Sequence, residues 1–264
     1  MSDKETAIEK ALRVLLAFKP NNRPMGTGEL SKKLGYHKAT ASRILLTLAE
    51  HGFVFQDPNT KKFSLGANIY ELGTLLAETS INTIVRVARP HITALRNELD
   101  ETIVLEVWSG DRTVVAYEEE SVRPLKVGGQ VGTPPPVHVT AGAKAILSVS
   151  DLSRVDASLK GEMKRYTENT IVDRDVFKAR LAEYKQQGFA TDRDEFDVGI
   201  SAIGAPIFGH HGEAVAAVVV LIPSARFSED STASIARFLL STTKTISDKF
   251  SYLDAPETLN GKPA

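Results

Sequence analysis

Lys38, Thr40, Ser42 and Arg43 crowd one short stretch of the chain, and Lys61 and Lys62 follow after a turn-forming segment. Ammonium, guanidinium and hydroxyl groups in this combination suit phosphate oxygens and base edges. Lys38, Ser42 and Arg43 are the candidates for base or phosphate contact, Thr40 for the start of a helix, and Lys61 and Lys62 for phosphates. Catalytic chemistry finds little support. There is no cysteine, which removes thiolate catalysis and thiolate metal sites. Ser241 and Lys244 match the letters of a Ser-x-x-Lys nucleophile motif, but they lie in a Ser/Thr-rich terminal helical pattern without SDN or KTG partners. His210 and His211 stand at an expected hairpin tip with no third ligand nearby. HExxH, Walker and GxGxxG patterns are absent. No catalytic residue, metal or cofactor is expected.

The elements that must position those cations form a helix-turn-helix with a wing. Thr27 is the expected cap of a first helix, with Glu29 in its first turn and Gly35 as its left-handed stop. The second helix should run from His37 or Lys38 to about Glu50. Its apolar stripe is Ala41, Ile44, Leu45 and Leu48, opposite the cations and hydroxyls. Residues 53–55 and 63–65 alternate as half-buried strands do, around a turn at 57–62 that ends in Lys61 and Lys62. A helix should precede this unit, opened by a capping box at Ser2-Asp3-Lys4-Glu5. Its expected stripe is Ala7, Ile8, Ala11, Leu12 and Leu15, continuing to Phe18, and Pro20 and Pro24 should end it. Part of that stripe could meet a second subunit. Residues 1–68 carry eleven Lys and Arg against six Asp and Glu, a net of +5, while the whole chain is at −1. Attraction to phosphate is thus concentrated where the motif lies.

The spacing predicts a winged domain over 1–68, a linker helix over 69–81, a second domain over 82–254 and a disordered tail at 255–264. Pro90 should kink or restart the helix over 82–99. Strands are expected at 102–108, 113–118, 125–127, from 189, at 200–208 and at 214–222. Helices are expected at 141–149, at 173–187 and from about Asp230 to Phe250. Residues 128–136, with three successive prolines, must be a loop, and 192–198 reads as an acidic loop. Hairpin-built strands flanked by helices make the fold α+β. Trp108 belongs in the core or an interface rather than in a pocket. No apolar run has membrane-spanning length and the first residues lack a signal-peptide core, so a cytoplasmic protein without membrane contact is expected.

Four segments resemble the IclR family of transcriptional regulators. They are Lys38-Ala39-Thr40-Ala41-Ser42-Arg43-Ile44-Leu45, then Phe63-Ser64-Leu65-Gly66 followed by Leu72-Gly73, then the segment from Pro136 through Thr140-Ala141-Gly142 to Ala145, and finally Asp192-Arg193-Asp194-Glu195-Phe196 through Gly199 to Ile207. The resemblance implies a winged helix-turn-helix joined to a GAF-like α/β effector-binding domain with a mainly antiparallel sheet. It also implies dimers, often paired into tetramers, on a palindromic double-stranded operator, responding to a small organic acid. Matching motif positions would place Val127, the backbone at Ala141 and Gly142, Asp192, Ala202, Val219 and Leu221 around that effector. Asp192 could equally be an exposed loop acid. Cysteine often stands at the position of Ala202, and small hydroxyl residues at those of Val219 and Leu221. Aliphatic side chains there imply an apolar wall and an effector with an apolar or aromatic body. The effector would shift the wings through the helix beginning at Ile69. The competing reading is a hydrolase or reductase with a fused winged interaction domain.

Overall fold

The computed structural model describes residues 5–19, 21–75 and 80–253. The expected cap at Ser2, the break at Pro20, the last turn of the linker helix and the 255–264 tail lie outside them. The chain divides into two compact units, one up to Thr79 and one from Ser80.

In the first unit α1 (Ala7–Leu16) is opened by Thr6, not Ser2. The Thr6 hydroxyl accepts the Glu9 N–H at 3.2 Å, and the Thr6 N–H donates to Glu9 Oε2 at 2.6 Å. Both positions fit the capping-box pattern, and Thr6 has the extended backbone that a cap requires. The buried face matches only the end of the expected stripe. Phe18 is buried and Leu15 packs against the core, as expected, but Val14 and Ala17 complete that face, while Ile8 and Leu12, like Leu16, are exposed. α1 is apolar on more than one side, and only the Val14–Phe18 side meets Leu30, Leu45, Val54 and Phe63 in the core.

α2 (Thr27–Leu34) is preceded by Gly26, which occupies the cap position, so Thr27 is already helical. Gly35 ends α2 with φ of 71°, a backbone that glycine adopts without penalty. The Lys33 ammonium donates to the carbonyl of Ala17 at 2.7 Å and ties α2 to the end of α1. α3 (Lys38–Glu50) buries Ala41 and Leu45. The hairpin that follows pairs β1 (Val54–Gln56) with β2 (Phe63–Leu65). Phe53 stays outside the strand because its N–H closes α3 on the Leu48 carbonyl, at 2.8 Å. Met25 exchanges two backbone hydrogen bonds of 2.9 Å with Phe63, anchoring the hairpin to the chain ahead of α2. α4 (Ala67–Leu75) follows.

The second unit begins with α5 (Ser80–Leu99), which continues through Pro90 rather than restarting there. Its sheet runs β4 (Arg112–Glu119), β3 (Thr102–Ser109), β7 (Ala214–Pro223), β6 (Ile200–Phe208), β5 (Ala190–Arg193), each pair antiparallel. Because side chains alternate across a strand, one face presents Ile103, Leu105, Ile203, Val218 and Val220 to α5 and to α9 (Glu229–Leu253). The other face meets α6 (Ala141–Ser148), near α7 (Leu152–Ser158) and α8 (Arg174–Gln187). Asp173 caps α8 by accepting two N–H groups at 2.9 Å, and Gly188 stops it at φ of 82°. α7, a short helix capped by Asp151, was not foreseen. The strand expected at 125–127 does not form. Val122 and Leu125 are exposed, and the edge of β4 is instead met further along, where Val115 exchanges hydrogen bonds with Gly132 and Thr133.

Candidate functional site

The outer side of α3 is a polar face. Ala39, Arg43, Leu46, Thr47 and Glu50 are exposed at helical spacing, and Lys38 is exposed at the start. Thr40 and Ser42 are half-buried, since they flank Ala41 and Leu45, which anchor the helix from beneath. Neither Arg43 nor Lys38 has an acidic partner among the described residues. The hairpin tip is held by Asp57, whose carboxylate accepts the N–H groups of Asn59 and Thr60 at 2.9 and 2.7 Å. These bonds hold its pKa below the usual carboxylate value. Lys61 adopts φ of 56° within this turn, and both Lys61 and Lys62 project into solvent. A helix presenting cations beside a cationic wing has the form of a groove-reading element flanked by a phosphate contact.

The second unit holds a cavity of about 390 Å³ against the α6 side of the sheet. Val127, Ala141, Asp192, Ala202, Val219 and Leu221 all line it. Strand register brings several of them together: Asp192 is opposite Ala202, Ala202 opposite Leu221, and Val219 opposite Val104. Val104, Val115, Phe196, Ile200 and residues 134–136 extend the apolar wall. Gly142 does not line the cavity. Its role is spatial, since a Cβ there would stand 2.5 Å from the Glu106 carboxyl carbon. Asp192 is not in a loop but on β5, and it is 4% exposed. Its Oδ1 accepts the Glu195 N–H at 2.8 Å. Trp108 lies outside the cavity, with its indole N–H on the Gly110 carbonyl and the Arg154 guanidinium 4.6 Å above its ring.

The polar end of the cavity was largely missed. Glu106 sits on β3, 3% exposed, and the Thr140 hydroxyl, which also caps α6, donates to it at 3.4 Å. Burial pushes Glu106 up to about 7 and Asp192 up to about 6. Behind them Lys144, with no exposed surface, is bound to Glu195 at 2.6 Å. The available signal was phase: in Thr102-Ile-Val-Leu-Glu106, the glutamate shares a face with Val104 in a strand otherwise apolar on both sides. Raised carboxyl values make a stability statement. The folded chain keeps protons that the unfolded chain releases near 4.5 and 3.8. The stability this lends is complete below those values and is lost as pH rises through about 6 and about 7. Urea unfolding should therefore show wild type losing stability relative to Glu106→Gln as pH rises across that window. Identical pH slopes for the two proteins would contradict it.

The family model for the C-terminal domain of the bacterial transcriptional regulator IclR matches residues 77–248, and the IclR helix-turn-helix model matches residues 7–58. The chain belongs to the IclR family of transcriptional regulators. This is a DNA-binding regulator family rather than an enzyme family, which sets aside the hydrolase or reductase reading. Among the family's members, the HTH-type transcriptional regulator KdgR of Escherichia coli (strain K12) is 29% identical over 255 residues, covering 96% of each chain. The HTH-type transcriptional repressor AllR of Salmonella typhimurium is 24% identical over 242 residues, covering 91% of this chain and 88% of that one. The Thermotoga maritima IclR structure matches with a TM-score of 0.73 at 26% identity, over 93% of this chain and 98% of that one. An IclR homolog from Microbacterium hydrocarbonoxydans, complexed with 4-hydroxybenzoate, shares the fold at a TM-score of 0.78. Its identity is 17%, over 94% of this chain and 100% of that one. An N-terminal helix-turn-helix with a C-terminal α/β domain on an antiparallel sheet is thus the family architecture as well as the observed one. Among the described residues, no helix is long and apolar enough to cross a membrane.

Proposed function

We propose that this IclR-family regulator represses a catabolic operon. In this reading it binds a palindromic double-stranded operator in the cytoplasm as a dimer or tetramer, and a small organic acid with an apolar or aromatic body controls that binding. The observation that carries the reading is that one chain holds both a cation-bearing helix-and-wing face and a separate cavity with an apolar wall and a polar end. Val219, Leu221, Ala202 and Val104 supply that wall, where hydroxyl side chains would have favoured a very small polar acid. That the same fold accommodates an aromatic acid is supported by the 4-hydroxybenzoate held by the Microbacterium homolog. Val127, Ala141, Asp192, Ala202, Val219 and Leu221 are assigned to the effector, Gly142 to the spacing of Glu106, and Lys38, Thr40, Ser42, Arg43, Lys61 and Lys62 to DNA.

Arg43→Ala is the direct test of the DNA assignment. Arg43 is exposed on the outer side of α3, so its removal should leave the melting temperature near that of wild type. Affinity for the upstream region of the protein's own gene should fall by about 1–3 kcal/mol if it reads a base. If it contacts only phosphate, the loss should be uniform across sequences and should reduce the salt dependence instead. Unchanged affinity in a gel-shift titration would remove Arg43 from the interface.

A further inference from the structure

We propose that an acidic effector enters the cavity together with one proton, held between its carboxylate and the side chain of Glu106. The proposal rests on the reading of the effector as an organic acid and assigns a binding role to a residue that the motifs did not single out. Three carboxyl side chains line the cavity, Glu106, Asp192 and Asp197, and no lysine, arginine or histidine does. The nearest buried cation, Lys144, has no exposed surface and is already bound to Glu195 at 2.6 Å. Nothing in the lining offers a full positive charge to neutralise an incoming anion.

The attractive position for a ligand carboxylate is the first turn of α6, where Ala141 lines the cavity and the helix end favours negative charge. Glu106 already occupies that corner. Its carboxyl atoms lie 2.5 to 2.8 Å from where a Cβ on Gly142 would be, so glycine is what allows it so close. A ligand carboxylate drawn to the same turn meets Glu106 at contact distance. Two carboxylates in contact within a desolvated space do not both remain ionised; one takes a proton and donates it to the other.

The groups around Glu106 leave room for this. From β4 it faces the Thr113 hydroxyl, and from the α6 end the Thr140 hydroxyl and the Ala143 N–H, all of which favour its charged form. From β5 it faces Asp192, which disfavours that form and is itself close to Lys144 and Glu195. Burial is the largest influence and leaves Glu106 titrating at about 7, so protonation near neutrality is inexpensive. Above that value each further pH unit should weaken binding about tenfold. An ordinary exposed glutamate, ionised throughout, would impose no such slope.

Calorimetry on the full chain decides it, with a series of monocarboxylates from acetate to benzoate and the matching neutral amides, from about pH 5 to about pH 8. The expected result is acid binding that weakens about tenfold per unit above about 7. At the alkaline end, enthalpies measured in buffers of different ionisation heat should report uptake of about one proton per ligand. Glu106→Gln should remove both the slope and the uptake. If that variant does not fold, the buffer dependence of the wild-type enthalpy decides alone. Acids that bind with pH-independent affinity and no proton uptake would overturn the proposal while leaving the organic-acid reading intact. Silence from every acid across the range, with or without binding of the amides, rejects the organic-acid reading and the proposal with it.

Discussion

Replacing Lys144 with methionine should lower the stability of the C-terminal unit by about 3–5 kcal/mol. The ammonium has no exposed surface, lies 2.6 Å from Glu195 Oε1, and stands 6.0 Å from the Tyr184 ring centroid. Methionine fills a similar volume, so little packing is lost. What remains is a Glu195 carboxylate, 7% exposed, whose other oxygen already has no hydrogen-bond partner. The backbone around it is held firmly: the Thr170 hydroxyl donates to the Glu195 carbonyl at 2.7 Å, and the Glu195 N–H donates to Asp192. The orphaned charge therefore has little freedom to turn toward solvent. A double replacement, Lys144→Met with Glu195→Gln, should recover most of the loss, because it removes the unpaired charge as well as its partner. Denaturant unfolding of wild type, both single variants and the double gives the coupling directly. A single Lys144→Met variant as stable as wild type would mean that the pair contributes nothing.

Gly204→Ala should cost less stability but disable the cavity, for a steric reason. Gly204 lies on β6 directly beneath the first turn of α6. An added Cβ would stand 2.8 Å from the carbonyl carbon and oxygen of Ala141 and 3.0 Å from the Gly142 nitrogen. These are backbone atoms, so no side chain can rotate away. Either α6 lifts or the strand bends, at a cost of about 1–3 kcal/mol. Thr140, Ala141 and the Glu106 corner all depend on that turn, so effector binding should be lost even where folding survives. DNA binding without effector should persist, since α3 and the wing belong to the other unit. Thermal melting with and without a bound acid reads both effects. Native melting and native effector affinity together would show that α6 accommodates the methyl group.

How far these features were legible in the sequence depended on whether a pattern had one physical solution. α3 had one: a single apolar stripe under a polar face, ended by glycine. The strands at 200–208 and 214–222 were similarly legible, as apolar stretches bounded by turn residues, the second carrying the β-branched run Val218-Val219-Val220. α1 had two solutions, because Ile8, Leu12 and Leu16 are as apolar as Val14 and Phe18. Periodicity identifies an amphipathic helix but does not choose between two apolar sides, and the core made that choice. The segment 125–127 has strand-forming side chains, but strands need partners, and position along the chain does not reveal which stretch meets a sheet edge. Asp192 and Glu106 were obscured for a related reason. Acidic residues in a run read as solvated loop, and a lone glutamate in a strand reads as its wet side. Here both line the same cavity. The apolar half of the cavity and Asp192 followed from motif positions, while Glu106 depended on strand register.

The central claim is that what fills the cavity controls what α3 and the wing hold. Fluorescence anisotropy of a labelled fragment from the gene's own upstream region, titrated with the full chain, tests it most directly. Once calorimetry has identified an acid that binds, the titration is repeated with that acid present. Tight binding that weakens steeply with salt, and a shift of about five- to 150-fold on adding the acid, are expected for wild type. Gly204→Ala should bind the same fragment without that shift. An acid that occupies the cavity yet leaves the wild-type DNA affinity unchanged would contradict the account.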